Sequence, residues 1–91
     1  MPNRGFEEGE EQIDEKFEAS VKNLIDDLLK KSIKGIGKPV VQMRKEDKLN
    51  ILKDLKKRGL FLIKGSAQRV SRELSVSLPT IYKYLEEIKD I

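Results

Sequence analysis

Between Lys64 and Leu85 the chain reads KGSAQRVSRELSVSLPTIYKYL, and its apolar residues fall at Val70, Leu74, Val76, Ile81 and Leu85. Val70 and Leu74 share one helix face by i, i+4 spacing, and Ile81 and Leu85 share another. Two short helices are therefore expected, separated only by Ser75, Val76 and Ser77. That separation suits the three- to four-residue turn of a helix-turn-helix, with Val76 plugging the space between the helices. Ser77 is a good N-cap, and Pro79 near the helix start removes an N–H that has no intrahelical acceptor, so the second helix should begin at Leu78. In a docked helix-turn-helix the start of the second helix meets base edges. Leu78, Pro79, Tyr82 and Lys83 are then the candidate DNA readers, with Ser77 and Thr80 near phosphates, while Ile81, Tyr84 and Leu85 face inward. Arg69 and Arg72 project from the first helix and are further candidates for phosphate contact.

Ninety-one residues support one small domain and an arm, with a modest core and no deep cleft. The absence of cysteine and histidine excludes thiol catalysis, disulfides and His-ligated metals, and removes the commonest general base. Neither a catalytic residue nor a cofactor or metal site is expected. The acidic pairs Asp26–Asp27, Glu46–Asp47 and Glu86–Glu87 do not rescue an enzyme, because neighbours on a helix point apart. No apolar run approaches the ~20 residues that span a bilayer, and the acidic N-terminus lacks a signal-peptide core, so a cytoplasmic protein is expected.

Charge divides the chain. Residues 1–34 carry six basic and nine acidic side chains, whereas residues 35–91 carry thirteen and seven. The basic part contains the helix-turn-helix, as expected of a segment that neutralises phosphates.

Taken in order, residues 1–11 hold four glutamates and little to bury, and are expected to be a mobile acidic tail. Over 12–34, Ile13, Phe17, Val21, Leu24, Ile25, Leu28, Leu29 and Ile33 form a broad stripe at helical spacing. Phe17, Val21, Leu24 and Leu28 follow a coiled-coil seam, which suggests a homodimer or docking against another domain; the alternative is packing on the chain's own core. Residues 35–43 read as a flexible linker, with Gly35 as the helix stop and Gly37 and Pro39 beyond it. This linker fails as a phosphate loop, since Ser32 stands where a glycine is required and Pro39 where Ser or Thr is required. Residues 44–91 are expected to form a trihelical DNA-binding domain, beginning with a helix from Arg44 to Arg58 stopped by Gly59. Leu60 to Ile63 should be an extended, buried connector. With the chain ending soon after Leu85, no wing is expected.

The Gly37-Lys38-Pro39 entry, the Glu46-Asp47-Lys48 helix start, the Gly59 to Lys64 connector, Ser77 and the Thr80 to Leu85 run resemble the C-terminal DNA-binding domain of YheO-like bacterial transcriptional regulators. The resemblance covers residues 37–89. It implies an all-α fold, double-stranded DNA as partner, and a PAS-like sensor domain ahead of this unit that the present chain has no room for. Two positions depart from that pattern in the turn region: Ser71 replaces Ala, and Ser75 replaces Gly at a left-handed position, at a cost on the order of 1 kcal/mol. Leu78 stands where an arginine is common, which leaves the helix start apolar and suited to thymine methyl groups. Lys83 and the Tyr82 hydroxyl would supply polar contacts. The alternative function is a protein-interaction module acting through the N-terminal amphipathic helix.

Overall fold

The computed structural model describes residues 15–89, and these form four α-helices and two 3-10 turns with no strand among them. Helix α1 is Glu15–Ile36, α2 is Lys45–Lys57, α3 is Ser66–Glu73 and α4 is Leu78–Glu87. The 3-10 turns are Val40–Gln42 and Leu60–Leu62. The expected acidic tail at 1–11, and residues 12–14 of the expected first helix, lie outside the described residues.

Each helix of the core is explained by its own residues. In α2, Ile51, Leu52 and Leu55 are buried, and α3 contributes Val70 while α4 contributes Ile81. Leu60, Leu74 and Ile88, which follow α2, α3 and α4, complete the centre. Gly59, at φ 80, turns the chain out of α2 in a left-handed conformation that a side chain would strain.

Helix α1 does not stand apart from this core. It buries Ile25, Leu29 and Ser32, with Val21, Leu28, Ile33 and Ile36 partly covered, and its most extensive contact is with α2. Removing Leu29 from water is worth about 1.5–3 kcal/mol. Polar contacts fix the same face. Ser32 Oγ donates to Asp54 Oδ2 at 2.9 Å, tying α1 to α2. Arg69 of α3 donates from Nε and Nη2 to the two carboxylate oxygens of Asp26, at 2.9 and 2.8 Å, tying α1 to α3.

The expected flexible linker is a structured connection. Helix α1 runs through Gly35 to Ile36, and Gly37, at φ 81, is the left-handed stop in place of Gly35. Pro39 leads into the first 3-10 turn, after which Met43 enters the core. Lys38 Nζ then reaches Asp47 Oδ2 at 2.8 Å, and the same oxygen accepts the Arg44 backbone N–H at 3.0 Å. Asp47 thereby caps α2 and holds the connection to it. The second departure is at Leu60 to Ile63, which is a 3-10 turn and not an extended connector. Leu62 N–H returns to the Gly59 carbonyl, so Leu60 is buried while Leu62 is 91% exposed.

Two outcomes follow from this packing. Leu29→Ala is expected to lower the unfolding free energy by about 2–5 kcal/mol, and Lys31→Ala, at an exposed position of the same helix, by no more than about 0.5 kcal/mol, both read from urea titrations. Equal losses would mean that α1 does not pack as described. The Asp47 carboxyl is held below its ordinary value of 3.8, first by the Lys38 hydrogen bond and then by the Arg44 N–H. A carboxylate depressed on folding stabilises above its unfolded value and loses that contribution as pH falls through the folded one. Thermal melts of Asp47→Asn should therefore lose less melting temperature than the parent below pH 3.8. Parallel acid profiles would contradict this.

Candidate nucleic-acid interface

The turn between α3 and α4 is set by backbone chemistry that the sequence displays openly. Ser75 takes φ 56, the left-handed position expected for it, and is the only described non-glycine residue with positive φ. Val76 N–H donates to the Ser71 carbonyl at 3.0 Å, and Ser71 Oγ donates to the Gln68 carbonyl at 2.8 Å. The half-buried Val76 packs against the core between the two helices. Ser71 is thus accommodated at the close contact because its hydroxyl is satisfied within its own helix.

Helix α4 begins at Leu78, as its cap predicts. Ser77 Oγ accepts the Thr80 N–H at 3.3 Å and shares a 2.8 Å hydrogen bond with Thr80 Oγ1, and Pro79 occupies the first turn. Ile81 is completely buried, which rolls the helix so that Pro79, Tyr82 and Lys83 face solvent and Leu78 and Thr80 lie at the margin. Tyr82 is 54% exposed. Tyr84 and Leu85 are half-buried, as expected of inward-facing residues. Tyr84 lies under Lys45 Nζ, 5.5 Å from the ring centroid, and Lys45 also pairs with Glu87 at 3.1 Å. These contacts hold α4 against the start of α2.

The sequence-derived DNA candidates separate on one point. Ser77, Leu78, Pro79, Thr80, Tyr82 and Lys83 gather at the start and outer face of α4, and Arg72 is exposed on α3. Among the described residues neither Arg72 nor Lys83 has an ion-pair partner. Arg69 differs from the others. Its guanidinium is engaged by Asp26, 43 residues away in sequence, and both side chains are more than two-thirds covered. Asp26 has Lys30 four residues after it and Lys22 four before it, so local spacing gives it partners on its own helix and does not point to Arg69.

One residue on the outer face enters the sequence reading only as half of an acidic pair. Glu86 is exposed and lies seven residues after Pro79, on the same side of α4 as Tyr82 and Lys83, where it pairs with Lys89 at 3.1 Å. The spacing of Pro79, Tyr82, Lys83 and Glu86 alone would have found it.

The seam of Phe17, Val21, Leu24 and Leu28 divides in the same way. Val21 and Leu28 are partly buried against the core, while Phe17 and Leu24 are 55% and 49% exposed. The stripe is wider than one contact, and the core takes the side centred on Ile25 and Leu29. No group of acidic residues that could hold a metal ion occurs among the described residues, and no described helix is long and apolar enough to cross a membrane.

No curated protein and no solved structure matches this chain. Residues 24–86 match a protein-family model described as an HTH domain. The match begins inside α1 and ends near the last turn of α4, so it takes in the helix that grips the core as well as the turn and both flanking helices. The chain belongs to this helix-turn-helix domain family.

Proposed function

We propose that the chain is a sequence-specific DNA-binding transcriptional regulator, or the DNA-binding portion of one, that lays α4 in the major groove. The observation that carries this reading is the outer face of α4. A Ser77-capped helix start presents Leu78, Pro79, Tyr82 and Lys83 away from the core, and the cations Lys83 and Arg72 are left unneutralised among the described residues. Lys83 and Arg72 contact phosphates or base edges, Ser77 and Thr80 lie near phosphates, and Leu78 and Pro79 offer apolar contact to thymine methyls. Most of the affinity comes from counterion release, and discrimination comes from the helix start.

The regulator acts as a two-fold dimer reading half-sites about one helical turn, ~34 Å, apart. Leu24 centres the contact between copies, with Leu28 beside it and Phe17 and Val21 only at its edge, on the side of α1 that the core leaves exposed. The resemblance to YheO-like regulators supports a cytoplasmic, bacterial setting and a sensor domain joined ahead of this unit in a longer protein.

Fluorescence anisotropy with a labelled random duplex tests the reading. If two to three phosphates are neutralised, affinity should fall roughly 10- to 40-fold between about 50 and 200 mM salt. Lys83→Ala should weaken binding and, as a phosphate contact, flatten the logarithmic salt slope by about 1. Absence of binding at the lower salt, or a slope and affinity indifferent to Lys83, would refute it.

A further inference from the structure

A groove of about 450 Å³ runs between the first half of α1 and the start of α3, lined by Phe17, Val21, Ile25, Lys64, Arg69 and Arg72 among others. Phe17, Val21 and Ile25 are spaced by four residues, so they form a continuous apolar ridge of about 12 Å along one side of α1. The opposite side is basic. Of the nine residues that line the groove four are basic, Lys22, Lys64, Arg69 and Arg72, and only Glu18 is acidic. Gly65 closes the end with bare backbone, and the space where a Cβ would stand is open.

Arg69 gives this groove an ordered cation. Asp26 holds the guanidinium through Nε and Nη2. A guanidinium has five N–H donors, so three are left for another acceptor, and their direction is already set. Two other clefts lack this combination. The one between α2 and the end of α4 has Ile88 as its single apolar lining residue, and the one beside Leu62 is smaller, at about 280 Å³.

We propose that the groove between α1 and α3 binds a small amphipathic organic anion, a compact apolar body carrying one carboxylate, sulfonate or phosphate group. The apolar body lies on Val21, Ile25 and Phe17, and the anionic group meets Lys64, Arg72 and the remaining donors of Arg69. Its size falls in the range of small-molecule sites, about 300–1,000 Å³, and an apolar floor with a few convergent charged groups is the usual composition of one. Because the ligand would touch both α1 and α3, binding stabilises their packing.

The test needs no DNA, so it is independent of the proposed regulatory role. Anilinonaphthalene sulfonate serves as the anionic probe and phenylnaphthylamine as the same ring system without the charge, each titrated by fluorescence into the whole chain. One saturable site for the sulfonate is expected, with the neutral probe at least about tenfold weaker. The double variant Lys64→Glu, Arg72→Glu, at exposed positions, should weaken the sulfonate by a further factor of about ten or more with its circular dichroism unchanged. Val21→Trp should block it by filling the groove. Equal affinity for the two probes, indifference to the charge reversals, or no saturable binding would overturn the proposal.

Discussion

Burial of one face of α1 against α2 and α3 is the contact on which the rest of the structure depends. Without it, α2, α3 and α4 would form a trihelical unit with a core small even by the standards of short domains. Ile25 and Leu29 enlarge that core, Ser32 joins Asp54, and Asp26 joins Arg69. The two polar ties do different work from the apolar burial. Two leucines can slide against a neighbour at little cost, whereas a bidentate carboxylate–guanidinium pair fixes one register between helices. The first helix of the turn motif is thus held by α1 from one side and by α4 from the other.

This arrangement gives α4 its orientation. Complete burial of Ile81 decides which way the helix rolls, and the Ser77 cap with the left-handed Ser75 decides where it starts. Neither feature involves a residue on the outer face. Tyr82, Lys83, Pro79 and Glu86 can therefore be changed without disturbing the scaffold beneath them. The same separation explains why an apolar start, Leu78 and Pro79, leaves the fold of the helix unchanged.

What could be read from the sequence is whatever local chemistry controls. The start of α4 at Leu78, the left-handed Ser75, the plug at Val76 and the inward Ile81 all follow from residues within a few positions of one another. The side of α1 that meets the core did not. Eight apolar residues at helical spacing make a stripe broader than one contact, so the Phe17 to Leu28 seam and the Ile25–Leu29 side were both possible, and only the position of α2 chooses between them. Arg69 reads locally as a phosphate contact for the same reason, since its partner Asp26 lies in a different helix far along the chain. Between α1 and α2, glycine and proline mark a change of direction without specifying flexibility, and Lys38, Asp47 and the Arg44 N–H supply the ties. The Leu60 to Ile63 run was too short for periodicity to distinguish an extended segment from a 3-10 turn, and Gly59 settles it through its left-handed backbone.

In the proposed complex DNA meets the chain on α4 while α1 serves as part of the scaffold. Amide chemical shifts followed by NMR during titration with a short duplex test it residue by residue. The largest changes are expected at Ser77 to Lys83 and at Arg72, with Ile25, Leu29 and the Asp26–Arg69 contact little altered. Changes concentrated on α1, with the amides of α4 unmoved, would contradict it and place the working surface of this protein on its first helix.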